Sequence, residues 1–162
     1  DRKTNNMNEK HNQRCQELRS MFTQLITAYG AKEFDKFLAY MREDTVFEWP
    51  FRPLADFPEQ ITGGSTFVEI SKEGMADCLP YNHQVDQFYD LVEPDTLIVE
   101  YHTDTTYLPT NERYANNYIS IVRFEDDKVV YWKEYINPLP VLEVYGSDFS
   151  NETAASATPD EK

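Results

Sequence analysis

The stretch "DTLIVEYHTDTTYLPTNERYANNYISIVRFEDDKVVYWKEYIN" (95–137) decides the fold. Three runs rich in β-branched and aromatic residues, 96–107, 113–124 and 128–137, are separated by "PTNE" and "EDD". Those residue types favour turns over strands. Neighbours joined by turns this short must pair antiparallel, because a parallel pair needs a long crossover. A further run, 82–92, precedes them across "EPD", so the second half of the chain reads as a four-stranded meander.

Turn length sets which side chains share a face. A three-residue loop Glu125–Asp127 puts Phe124 opposite Lys128. Val122 then meets Val130, Ser120 meets Trp132, Tyr118 meets Glu134 and Asn116 meets Ile136. A two-residue loop at Asp126–Asp127 would set Ile119 opposite Glu134 and reverse the faces. The first register separates the faces more sensibly. It collects Val122, Val130, Trp132, Tyr118 and Ile136 with the polar Ser120, Asn116 and Glu134. A four-residue loop Pro109–Glu112 pairs Tyr101 with Ser120 and adds Leu97, Val99, Tyr101 and Thr103 to that face. A mostly apolar surface with a few convergent polar groups is the usual make-up of a small-molecule pocket. Arg123, Lys133, Ile119, Ile121, Asn117, Tyr131 and Tyr135 occupy the opposite face.

Upstream the period changes. Cys15, Leu18, Phe22, Leu25, Ile26 and Tyr29 recur at helical steps, which predicts a helix over 13–29 that stops at Gly30. Phe34, Phe37, Leu38 and Met41 mark a short second helix. "DTVFEWPF" (44–51) reads as a strand, placed at a sheet edge or end by Pro50. Thr66 and Glu69 offer a capping box for a third helix over 66–77. Residues 1–12 and 147–162 are polar and read as flexible tails around one domain, 13–146. Helices followed by a meander make an α+β fold, a curved antiparallel sheet with three N-terminal helices on its concave face.

Composition narrows the function. Acidic residues outnumber basic ones 29 to 15, a net charge of −14. That balance excludes phosphate-backbone recognition and disfavours an anionic membrane surface. No apolar run is long enough to span a bilayer, and the N-terminal stretch lacks a signal-peptide core. Cys15 and Cys78 have no metal-type spacing and read as reduced, buried thiols of a cytoplasmic protein. Eleven Tyr and ten Phe suit either a cavity for a flat organic ligand or an ordinary sheet-rich core.

Taken together, "TVFEWPF", "TGGSTFVEI" and "RFEDDKVVYWKEYINPLPVLEVYG" resemble the SnoaL-like, ketosteroid-isomerase-like proteins of the nuclear transport factor 2-like superfamily. The phenazine-biosynthesis A/B branch is the most similar in look. The resemblance covers residues 13–146 and implies a cystatin-like α+β cone with a deep pocket. It also implies a homodimer joined through the outer sheet face, with no metal or redox cofactor. In the phenazine branch a last-strand glutamate is a general acid/base, and here Glu134 matches it. Tyr114 matches a pocket tyrosine, while Ser71 stands where the partner histidine would be. That substitution argues against the branch's imine-forming reaction. Ketosteroid isomerase itself is matched at none of its catalytic positions, which fall at Trp49, Leu25 and Ser120.

The candidate site follows from both lines. Glu134, alternating with Trp132 and Ile136, is a carboxyl placed among rings, where desolvation raises its pKa and suits it to proton transfer near neutrality. Its alternative role is a brace held by Tyr118 or Asn116. Tyr114 and Tyr118 are expected to assist it, with Asn116, Ser120 and Ser71 as polar contacts and Tyr101, Trp49, Phe51 and Trp132 as walls. Glu48 is expected to point away. His102, between Glu100 and Asp104 on the outward face, needs no metal to explain it. His11 and His83 have no identifiable partner, and no inward histidine is expected. These features point to a cofactor-independent isomerase, cyclase or dehydratase acting on a hydrophobic metabolite. A non-catalytic small-molecule-binding or accessory protein of the same fold is the alternative.

Overall fold

The computed structural model describes residues 2–146, with side chains from residue 6; the expected C-terminal tail lies outside the described residues. In chain order the elements are α1 (Arg2–Gly30), α2 (Phe34–Leu38), β1 (Met41–Glu48), β2 (Gln60–Thr62) and α3 (Gly64–Gly74). The meander β3 (Gln84–Asp90), β4 (Thr96–Tyr107), β5 (Glu112–Glu125) and β6 (Lys128–Ile136) follows, and α4 (Pro138–Tyr145) ends the described chain. The six strands form one sheet in the order β2-β1-β6-β5-β4-β3. The architecture is the expected α+β cone, a curved sheet with helices on its concave side.

The sheet is mixed rather than wholly antiparallel, because β1 lies parallel to β6. The whole meander separates these two strands in sequence, which is the long connection a parallel neighbour requires. β1 also pairs with β2, a strand too short to register in the periodicity, so it is flanked on both sides. Pro50 lies beyond its end, where a missing N–H breaks no ladder.

The β5–β6 turn is the two-residue Asp126–Asp127 loop, with φ of 47° and 60° at its two residues. Positive φ at both central positions is the turn that matches strand twist. That loop alone would reverse the faces. A bulge at Val130 restores them: Phe124 pairs with Val129, then Arg123 with Tyr131. Ser120 therefore pairs with Glu134 and Tyr118 with Ile136, two positions from the expected register but with the same facing. Val129, fully buried, takes the inward place expected for Val130. The β4–β5 register is likewise displaced by two, pairing Tyr101 with Tyr118 and Val99 with Ser120. A second bulge at Asp86 interrupts the β3–β4 ladder. Bulges bend the strand and strengthen its twist, which curls this sheet into a cone.

Helices close the hollow. α1 buries Cys15, Leu18, Phe22, Leu25 and Ile26, and the Phe22 ring sits 5.4 Å from Trp132 and 5.6 Å from Tyr101. The helix starts at Arg2 rather than residue 13, since no Gly or Pro interrupts residues 2–29; residues 2–12, expected as a tail, continue it. α3 starts two residues before the Thr66 capping box and has no side-chain cap. Its cap is Gly63, at φ +106°. Next to it, a Cβ on Gly64 would meet the Met41 Cβ at 2.6 Å, so the helix can reach β1 only through glycine. Gly64→Ala is expected to cost about 1–3 kcal/mol through that clash, measurable by urea denaturation. α4 is a fourth helix, capped by Asn137 accepting from the Leu139 N–H, and it buries Val141 and Val144 in the same core.

Candidate active site

β6 carries Glu134 into the cone between Trp132 and Ile136, as its alternation requires. Its Oε1 accepts from the Trp49 indole N–H at 3.1 Å, and its Oε2 accepts from the Tyr101 hydroxyl. The Tyr101 hydroxyl also lies 3.0 Å from Ser120 Oγ, which accepts from the Trp132 indole N–H at 3.0 Å. The proton directions then follow. With Glu134 ionised, Tyr101 spends its only hydrogen on the carboxylate, so Ser120 donates to Tyr101 and Trp132 donates to Ser120. Every donor in the row points toward the acid.

Burial pushes the Glu134 pKa above its ordinary value, and the hydrogen bonds from Tyr101 and Trp49 pull against that rise. Glu134 as a residue is half-buried. Buried Lys and Arg are absent from the core among the described residues, so no cation fixes the carboxylate charge. Burial also pushes up the phenols of Tyr29, Tyr101, Tyr114 and Tyr118, and the Glu134 charge adds to each rise. One acid and four phenols share an electrostatic environment.

The expected trio is therefore brought into one interior, but neither tyrosine is bonded to Glu134. Tyr114 and Tyr118 approach each other at 3.4 Å between hydroxyls. Asn116 Nδ2 donates to Tyr114 at 3.0 Å and to the Asn137 carbonyl at 2.9 Å. This second polar group meets the first through the Tyr101 and Tyr118 rings, stacked at 5.0 Å and 16°. Neither Tyr118 nor Asn116 braces Glu134; Tyr101, expected only as a wall, does so together with Trp49. Ser71 is buried on α3, accepting from the Tyr29 hydroxyl at 3.1 Å and donating to the Phe67 carbonyl. Trp132 and Trp49 are buried wall residues.

Phe51 is not a wall residue. It is 61% exposed, and its ring lies 5.7 Å from Tyr135 on the outer face, because the chain has turned past Pro50. Glu48 points outward as expected and accepts from Tyr131. His102 is outward too, with Nδ1 2.7 Å from Asp86. The expectation of no inward histidine is overturned by His83, which is 8% exposed and packs on Tyr29, Tyr81, Tyr101 and Tyr118. Burial lowers its pKa to about 4. The alternation Tyr81, His83, Val85 carried the signal, since all three are in or against the core.

Clefts open on the surface of the described residues. One of about 510 Å³ includes Asp86, Glu100, Asn117, Ile119 and Tyr135, and one of about 390 Å³ includes Leu79, Asn82, Asp104 and Arg113. Neither is lined by Glu134.

With this geometry in view, the comparisons place the chain. Residues 22–132 match the SnoaL-like domain family, and the chain belongs to it; its fold is similar to that of a nuclear transport factor 2-like protein from Burkholderia thailandensis, 13% identical with a TM-score of 0.65 over 77% of this chain and 94% of that one. It is 28% identical to the uncharacterized protein YesE of Bacillus subtilis over 126 residues, 70% of this chain and 85% of that one. It is 35% identical over 60 residues to an uncharacterized PhzA/B-like protein of Pseudomonas aeruginosa, covering 37% of this chain and 43% of that one. Among solved structures, a Bacillus subtilis protein provisionally described as an isomerase superposes with a TM-score of 0.69. That pair is 24% identical, covering 84% of this chain and 95% of the other. No described helix is long and apolar enough to cross a membrane.

Proposed function

We propose that the concave interior is a small-molecule site in which Glu134 is the general acid/base, acting on a neutral or cationic hydrophobic metabolite. The observation that carries this reading is an inward carboxyl held only by N–H and O–H donors, with burial raising its pKa. Each carboxylate oxygen accepts one protein hydrogen bond and keeps a second acceptor position for a substrate proton. Tyr101 and Trp49 orient the group, and the Tyr114 and Tyr118 hydroxyls supply contacts for a carbonyl or developing oxyanion, with Asn116 holding Tyr114 in place. Isomerisation, cyclisation and dehydration are the reactions within reach of this set. The name given to the Bacillus structure and membership of the SnoaL-like family support the same class. The outer face, where Ile119 is 37% exposed among half-buried Ile98, Ile121, Tyr131 and Tyr135, is read as the contact surface of a homodimer. Two free cysteines fit a reducing, cytoplasmic setting.

A second reading is favoured by the ring packing. Phe47 and Phe67 stack at 4.2 Å, Trp49 lies parallel to both, and neither surface cleft includes Glu134. An interior filled by its own side chains would leave a dimerisation module with neither ligand nor chemistry. Protein-observed NMR titrations with small neutral, cationic and anionic aromatic fragments separate the two. Neutral and cationic fragments are expected to bind and to shift the Trp49 indole resonance, while carboxylates are expected to fail for want of a cation. Binding of none of the three classes supports the filled interior and removes the ligand site.

A further inference from the structure

His83 is a strongly buried titratable side chain of the cone that the proposed chemistry leaves idle. It immediately precedes β3 and lies against the C-terminus of α1, so closely that a Cβ on Gly30 would meet the His83 N at 2.8 Å. Its ring is stacked on Tyr29 at 5.6 Å and 12°, and meets Tyr101 at 78° and Tyr118 at 75°, both edge to face. Tyr101 thus stands between two ionisable groups: its hydroxyl donates to Glu134, and its ring packs on His83.

The tautomer follows from one contact. Nδ1 lies 3.4 Å from the His102 carbonyl oxygen, which can only accept, so Nδ1 carries the proton and Nε2 the lone pair. Among the described residues nothing bonds Nε2. Every fully enclosed side-chain nitrogen or oxygen among them does have a partner. Nε2 is therefore not enclosed: a side chain more than nine-tenths buried keeps one unpaired acceptor open to accessible space.

We propose that His83 Nε2 is a neutral hydrogen-bond acceptor of the ligand chamber, selecting aromatic or polycyclic ligands that carry a hydroxyl or N–H donor. The rings of Tyr29, Tyr101 and Tyr118 supply the flat apolar surface beside it. A donor-bearing ligand satisfies the lone pair, whereas an ether or a halide leaves it unpaired at a cost. The assignment rests on the reading of the concave interior as a ligand chamber, and not on catalysis by Glu134. His83 is here a specificity residue. It holds a substrate hydroxyl and takes no proton from it.

Phenol and its methyl ether, anisole, are nearly the same shape and differ in the donor. Imidazole-nitrogen NMR of histidine-labelled protein is expected to show His83 protonated at Nδ1 in the free state. Phenol is expected to move the Nε2 resonance, and anisole to leave it in place. His83→Phe, which keeps a ring for packing, is expected to weaken phenol about threefold to tenfold and leave anisole unchanged. Repeating the titration on Glu134→Gln separates the two proposals, since a retained phenol shift supports the His83 role whatever that variant does to turnover. A proton on Nε2 in the free protein, equal behaviour of the two probes, or no phenol shift at His83 overturns the assignment. The wild-type measurements decide it even if His83→Phe does not fold.

Discussion

Glu134→Gln is expected to lower turnover of the true substrate by about 10²–10⁴-fold while leaving the protein folded, the range typical for loss of a positioned acid or base. Glutamine has nearly the same shape and can still accept from Tyr101, but it cannot take or return a proton. A second readout needs no substrate. Burial sets the folded-state pKa of Glu134 above the ordinary 4.5. Between those two values the folded chain holds a proton that the unfolded chain has released, so the group's contribution is full below about pH 4.5 and fades as pH rises through the folded value. Wild-type stability, measured by urea denaturation from acid to neutral pH, should therefore decline relative to Glu134→Gln across that window. Parallel profiles would mean the carboxyl is no more desolvated than a surface acid, and unchanged turnover would remove it from the chemistry.

The hollow of the cone was legible because alternation is robust. Trp132, Glu134 and Ile136 face inward together whatever turn precedes them, provided parity survives. Parity did survive, but only because a two-residue turn and the Val130 bulge compensate, and a bulge has no reliable mark in one sequence. The β4–β5 pairing is displaced because the four-residue turn falls at 108–111, one residue before the expected place, and that hid the direct contact of Tyr101 with Glu134, since cross-sheet neighbours depend on register where facing does not. His83 was missed for a different reason. His83 falls inside the expected strand 82–92, but no turn fixes the pairing of that run closely enough to assign its facing, and the alternation begins one residue earlier, at Tyr81, whose backbone N–H is bonded to Gly30 on α1. Phe51 was misplaced because alternation was carried past Pro50, where a proline ends the ladder that sustains it. The helix cap was assigned to Thr66 from a motif, whereas close packing of Gly64 on Met41 decides where α3 begins.

The largest stability effect is expected at Phe22. Its ring is fully buried on α1 and is the point where the helix meets the site, lying within 6.2 Å of Phe88, Tyr101 and Trp132 by ring centroids. Phe22→Ala removes the ring that holds Tyr101 and Trp132 in place and leaves a cavity that α1 and the sheet cannot both collapse into. The expected loss is about 3–5 kcal/mol, the cost of transfer and cavity together. Phe22→Leu, which keeps most of the volume, should lose clearly less. Because Tyr101 and Trp132 are linked through Ser120, the alanine variant should also loosen the hydrogen-bonded row that ends on Glu134. That coupling is checked by the indole N–H resonances of Trp132 and Trp49, which should broaden or shift in Phe22→Ala at temperatures where the variant is still folded. A urea midpoint matching wild type would show that the α1 contact does not support the core. A large loss with both indole signals unmoved would show that the row is held by the sheet alone.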